Sequence, residues 1–252
     1  MEFADLPQII QGGMGVGVSD WRLARAVSET GQLGVVSGTA VDAVFARRLQ
    51  LGDPGGHMRR ALSEFPLADM AERVLRKYYV KGGKGVNVPF RPAPMLTTTS
   101  PMRHLELVVL ANFAEVFLAK EGHENAVGVN YLEKVQIPTL PSLFGAMIAR
   151  VDYVLMGAGI PTNVPGAMGN LCNGEFARLP LHVTGAEESV YATFDPQEFT
   201  GGRVPWMELP KFLPIVASST LASMLKRKAS GPVDGFIVEG PTAGGHNAPP
   251  RG

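Results

Sequence analysis

Cysteine is almost absent from this 252-residue chain: Cys172 stands alone. No intrachain disulfide and no thiolate metal cluster can form within one copy, and the expected compartment is the reducing cytoplasm. Neither sign of charge is in excess, since 23 Lys and Arg stand against 23 Asp and Glu. A chain so balanced offers no broad electrostatic footprint to a polyanion, which argues against nucleic acid or an anionic membrane as the main partner. Any ligand is then held by a local site. Long hydrophobic runs are missing too. The longest apolar stretch, residues 105–119, is broken by Glu106, Asn112 and Glu115, short of the roughly 18 clean residues a membrane span needs. The start of the chain, Met1-Glu2-Phe3-Ala4-Asp5, carries two acids where a secretory leader carries bases.

Common catalytic signatures are also lacking. Gly12-Gly13-Met14-Gly15-Val16-Gly17 has the wrong spacing for the dinucleotide fingerprint G-x-G-x-x-G, and no P-loop occurs. The five histidines, His57, His104, His123, His182 and His246, are scattered with no H-x-x-x-H pair, and there is no G-x-S-x-G elbow. Zinc and serine hydrolases lose their support.

What is present is a βαβ rhythm. An apolar run from Pro7 to Ile10, the glycine-rich turn, a helix and a second apolar run from Leu33 to Val36 form one unit. Ser19 is the expected N-cap of that helix, Leu23, Ala26 and Val27 its apolar face, and Gly31 its end. The strands are apolar without alternation, as in a parallel sheet covered on both faces. Further strands are expected at Ala126 to Asn130, Asp152 to Met156, Leu213 to Ala217 and Asp234 to Val238, with helices at Leu140 to Ala149 and Leu221 to Lys228. Two insertions interrupt the series within what reads as a single domain. Residues 40–125 hold helical pieces at Phe65 to Tyr79 and His104 to Lys120 around a Pro-rich loop from Pro89 to Pro101. That stretch is long for one crossover and suits a cap or a partner surface, although the apolar 105–120 helix is read as ordinary core packing. Residues 161–210 suggest a hairpin around Leu181-His182-Val183 and Val190-Tyr191-Ala192.

Six such strands build either an open doubly wound sheet or most of an eight-stranded barrel. The strands end in glycine or polar residues, among them Gln11-Gly12-Gly13, Ser37-Gly38, Asn130, Ser218-Ser219 and Glu239-Gly240. Barrel active sites gather at that end. The glycines of the first turn admit two readings: a close-packed βα turn, or backbone laid flat against a planar ring. The loop Gly244-Gly245-His246 after the sixth strand likewise offers either an idle loop histidine or an imidazole able to exchange protons near neutral pH.

Taken together, Ile9-Ile10-Gln11-Gly12-Gly13-Met14-Gly15, Leu23 to Ser28, Gly31 to Gly38 and Ala243-Gly244-Gly245-His246 resemble the nitronate monooxygenase (2-nitropropane dioxygenase) family. The resemblance spans the strand framework from Pro7 to His246 but neither insertion. It implies an α/β fold of the (β/α)8 TIM-barrel type with about six of eight strands present, and FMN across the C-terminal strand ends. It also implies that Gly13, Met14 and Gly15 line the flavin, that Asn130 of Gly128-Val129-Asn130 offers it an amide, that Ser218 lies nearby with Gly244 and Gly245, and that His246 acts on substrate. Gly85-Val86-Asn87 is a rival for the amide, disfavoured because it leads into the Pro-rich loop. The family's last two strands, which hold the FMN phosphate, have no counterpart after His246, so the chain reads as C-terminally truncated.

The activity implied is oxidation of a small nitronate or related carbon acid, with molecular oxygen as acceptor. An FMN-dependent enoyl reductase of fatty-acid or polyketide synthesis, using a nicotinamide donor, shares the first motif. A different class of reading is a non-catalytic binding module with residues 40–125 as its partner surface. A homo-oligomer is left open.

Overall fold

The computed structural model describes residues 6–185 and 188–243. Along the chain run α1 (Trp21–Ser28), β1 (Gly34–Ser37), α2 (Val41–Gln50), α3 (His57–Ser63), α4 (Ala68–Tyr78), α5 (Met102–Lys120), β2 (Val127–Leu132), α6 (Thr139–Ile148), β3 (Tyr153–Gly157), α7 (Val164–Cys172), β4 (Ala177–Leu181), β5 (Val190–Phe194), α8 (Pro196–Thr200), β6 (Lys211–Val216), α9 (Ser219–Lys228) and β7 (Ile237–Val238).

The main sheet is parallel throughout, in the order β1-β2-β3-β6-β7. Sequential parallel strands with helical crossovers are the topology the βαβ rhythm predicts. The first expected strand contracts to one parallel bridge, Ile10 to Leu33, held by Gln11 N–H to the Leu33 carbonyl and Leu33 N–H to the Ile9 carbonyl. The sixth shortens to Ile237–Val238. The sheet is curled: residues from both margins, Ile10 and Ile237, line one cavity of about 450 Å³ at its N-terminal end, together with Tyr153 and Leu213.

Alternate side chains divide between two cores. Leu33, Val35, Tyr153, Leu155 and Leu213 cluster on the concave face, while Val36, Val129, Val154, Met156 and Phe212 join the helices in the main core. Period-2 alternation with both faces apolar explains why every residue of β1 and β3 is buried.

The first helix corrects the sequence reading. Asp20, not Ser19, is its N-cap, accepting from the N–H groups of Arg22 and Leu23. The buried face is Trp21, Ala24 and Ser28, whereas Leu23 is exposed. The helix backbone lies directly on β1 at Gly34, where a Cβ would stand 1.9 Å from the Ala24 carbonyl oxygen, so only glycine fits there.

The segment 40–125 folds into the body of the protein. Helices α2, α3 and α4 contribute Phe45, Leu49, Met58, Leu62, Met70 and Val74 to the main core. Helix α5 is the crossover between β1 and β2 and is buried nearly all round, from Leu105 to Val116 without a break. Its three polar residues in that span are each partnered: Glu106 by Arg73, Asn112 by Tyr131 and Glu115 by Arg48. The 161–210 segment adds helix α7, which the sequence reading lacked, and the expected hairpin. It is the antiparallel pair β4-β5, with Leu181 opposite Val190. Among the described residues no helix is long and apolar enough to cross a membrane.

Candidate functional site at the strand ends

The C-terminal ends of β1 and β2 meet the glycine-rich turn. Ser37 and Asn130 are register partners on these adjacent strands, and the turn lies over them. Gly13 is seated so closely that a Cβ there would stand 2.3 Å from Val35 Cγ1 and 2.8 Å from Asn130 Cβ. No side chain larger than hydrogen fits. Gly13 therefore meets the close-packing reading of the turn, and what it packs against is the proposed amide residue itself.

Ser19 explains how the turn is held. Its buried hydroxyl lies 2.9 Å from both the Gly12 and Met14 carbonyl oxygens, its backbone carbonyl accepts from Ser37 N–H, and Gln11 Nε2 donates to its oxygen. Gln11 also accepts from Val35 N–H through Oε1. The polar pair Gln11 and Ser19 thus clasps the turn onto the sheet. Sequence reasoning assigned Ser19 to a cap and gave Gln11 no role. The available signal was a glutamine at the end of an apolar strand, where a side chain has only backbone groups to satisfy.

Asn130 is 3% exposed, and its amide oxygen has no hydrogen-bond partner. A buried carbonyl oxygen without a donor costs about 1–3 kcal/mol, so the site retains an acceptor that a ligand N–H could satisfy. The rival Asn87 sits on an exposed turn, beside a Val86 that is 96% exposed, with no strand to aim it.

The remaining expected site residues fall in two groups. Met14 is half-buried and Gly15, with φ +93°, turns the exposed part of the loop. Ser218 caps α9, accepting from Leu221 N–H at 3.2 Å. It lies at the end of β6, two strands from Asn130 or roughly 10 Å by strand spacing. The structure thus seats Gly13 against Asn130 and holds Met14 in the turn through its carbonyl on Ser19, and it gives Ser218 a structural task of its own. Gly244, Gly245 and His246 lie outside the described residues.

A cleft of about 450 Å³ opens at this same end of the sheet, between the β1-α2 and β2-α6 loops, the Pro-rich loop and the hairpin. Apolar Leu96, Ile137 and Val183 line it with three titratable groups, Asp42, Lys134 and His182. Burial pushes the Asp42 carboxyl above its usual range, against the opposing pull of backbone N–H groups at the start of α2. The loops that carry these residues are far apart in sequence, so no local pattern announced the cleft. Among the described residues no group of three or more His, Cys, Asp or Glu is placed to hold a metal ion.

Comparison of the chain with protein-family models and with curated proteins finds no match.

Proposed function

We propose that the chain is a flavin-binding oxidoreductase domain of the nitronate monooxygenase type, its strands forming positions one to six of a (β/α)8 barrel with FMN as cofactor. The observation that carries the reading is the buried, partnerless amide oxygen of Asn130 under Gly13, at the strand ends where barrel sites form. A flavin ring presents an imide N–H of the kind that oxygen lacks. The backbone of Gly13, Met14 and Gly15 would line the ring, and Ser218, whose oxygen caps α9, keeps its O–H to donate.

FMN, when bound, supplies the redox step with molecular oxygen as acceptor; the protein supplies orientation and proton movement. Asn130 would fix the ring through its amide oxygen. The Gln11-Ser19 clasp holds the covering turn in one geometry, so little ordering is left to be done on binding. The cleft at the same end of the sheet would admit a small carbon acid or nitronate, its apolar walls excluding water and Lys134 attracting the anionic form. His246 would take or hold the substrate proton at an imidazole nitrogen.

The test is the absorption spectrum of the purified chain after incubation with FMN and desalting. Retained flavin with shifted bands is expected, and Asn130→Ala should weaken retention at least tenfold, the value of one lost hydrogen bond in a dry site. His246→Ala should keep the flavin and lose turnover of a nitronate. A chain that emerges colourless overturns the proposal. Flavin reduced anaerobically by a nicotinamide and not by a nitronate moves the chain to the enoyl reductase type.

A further inference from the structure

Charge is balanced over the whole chain but not within it. From residue 73 to residue 105 there are seven cations, Arg73, Arg76, Lys77, Lys81, Lys84, Arg91 and Arg103, and no Asp or Glu. The fold gathers four of them around one cavity of about 430 Å³ on the side of the protein formed by α2, α4 and the loop after α4. Arg76, Lys77, Lys84 and Arg91 line it with Gln50 and Phe90, and no carboxylate does. Among the described residues, none of these four cations forms an ion pair, whereas Arg73, one turn back on α4, is matched by Asp69 and Glu106.

The arrangement is fixed by bonds that leave the positive charge uncancelled. Gln50, buried on α2, clamps the loop reciprocally: its Nε2 donates to the Arg91 carbonyl at 3.0 Å and its Oε1 accepts from Arg91 N–H at 2.6 Å. Lys84 N–H donates to the Gln50 carbonyl at 2.8 Å. The Arg91 guanidinium reaches the Lys77 carbonyl, Lys84 Nζ stands 4.5 Å from the centre of the Phe90 ring, and Lys77 Nζ 5.3 Å from that of Tyr78. Carbonyls and ring faces orient a cation without neutralising it. The C-terminal dipole of α4 accounts for part of the charge at Arg76 and Lys77, but it is worth only about half an elementary charge. Lys84 and Arg91 lie on the loop beyond it.

We propose that this cavity is a binding site for a small phosphorylated anion carrying two or three phosphoryl groups. Arginine forks and lysine ammonium groups are the side chains that recognise phosphate, and the volume falls in the range of small-ligand pockets. The aromatic faces are already engaged by cations, Phe90 by both Lys84 and Arg47. The phosphoryl groups, not a stacked base, therefore carry the recognition. The balance of charge over the rest of the molecule favours a compact ligand over a nucleic-acid strand.

Isothermal titration calorimetry of the full chain, with sodium tripolyphosphate, metal-free ATP and adenosine as probes at low and moderate salt, tests the site. The expected result is one-to-one binding of tripolyphosphate and ATP, weakened by salt, with no heat from adenosine. Tighter binding of ATP than of tripolyphosphate would identify a nucleotide as the source of the phosphates, and the reverse an inorganic polyphosphate. Arg76→Gln with Lys84→Gln should lower affinity at least tenfold, while Arg103→Gln, in the same charge-biased segment but outside the cavity, should leave it unchanged. Melting temperatures without ligand check that the variants are folded. No binding by the wild-type chain, an equal loss from Arg103→Gln, or tighter binding of single-stranded RNA than of tripolyphosphate overturns the proposal.

Discussion

The main-chain N–H of Trp21, in the first turn of α1, donates to Glu115 Oε2 at 2.9 Å across 94 residues of sequence. The other carboxylate oxygen accepts from Arg48, and Arg48 also reaches Asp20, the N-cap of the same helix, at 3.1 Å. One buried carboxylate thus joins the start of α1, the end of α2 and the middle of α5.

Arg48→Ala should therefore be costly, about 3 kcal/mol, because it leaves a buried carboxylate without its cation. Burial already raises the Glu115 carboxyl above its ordinary value, with Arg48 pulling it down. A raised folded-state pKa means that the folded protein holds the proton to higher pH, so this group's contribution declines as pH rises through that value. The variant's deficit should be large at neutral pH and shrink on acidification. Urea midpoints of wild type and variant compared at pH 7 and pH 4.5 check this, and a deficit that grows in acid would refute it.

Tyr131 ties β2 to two helices, its hydroxyl lying 2.9 Å from Asn112 Oδ1 on α5 and 3.0 Å from the Ser142 carbonyl oxygen on α6. Both acceptors are buried, and burial pushes the Tyr131 hydroxyl well above its usual value. Tyr131→Phe keeps the ring and strips the donor, so a loss of about 1–3 kcal/mol is expected. In a double-mutant cycle with Asn112→Ala the two losses should be markedly less than additive; full additivity would show that the contact carries no energy.

The parallel sheet was legible because its strands are short apolar runs without alternation and its helices fall between them. Periodicity could not see that Ser19 prefers two turn carbonyls to the α1 N-terminus, since the competition is decided by how the turn docks on Ser37. Nor could it show that 40–125 belongs to the core: the deciding contacts, such as Arg73 with Glu106 and Arg48 with Glu115, are tertiary. At the candidate site, the glycine turn and Asn130 were both visible as sequence, and their stacking was not. The Asp42 cleft draws on four loops, and sequence distance hid it.

Two glycines of similar setting should respond oppositely to alanine. Gly145 lies in α6 where that helix crosses α5, and a Cβ there would stand 2.1 Å from the Val109 carbonyl oxygen. That atom is backbone, so the helices must separate, at a cost of about 1–3 kcal/mol. Gly169, inside α7, has nothing within 4 Å of its Cβ position, and Gly169→Ala should stabilise by about 0.5–1 kcal/mol through helix propensity and a less flexible unfolded chain. Thermal unfolding of the two variants decides it: a Gly145→Ala variant as stable as wild type would refute the tight α5-α6 contact, and a destabilised Gly169→Ala the open space over α7.

Asp42 offers a test of the cleft that does not depend on the cofactor. Its carboxyl, in the first turn of α2, is raised from 3.8 chiefly by burial, with backbone N–H groups as the opposing influence. The ionised form is then the one the fold disfavours. Above the folded pKa the wild type bears the full penalty of a desolvated charge; below about 3.8 the group is neutral in both states and the penalty vanishes. Asp42→Asn should therefore raise stability at pH 7, with the advantage fading as pH falls through the folded value. The lost favourable interaction with the helix dipole, worth up to about 1 kcal/mol, sets the smaller opposing effect. Chemical denaturation between pH 4 and pH 8 measures the difference curve. An advantage that increases toward acid would mean that Asp42 is ionised and stabilising in the folded protein, and that the cleft it lines is open to water.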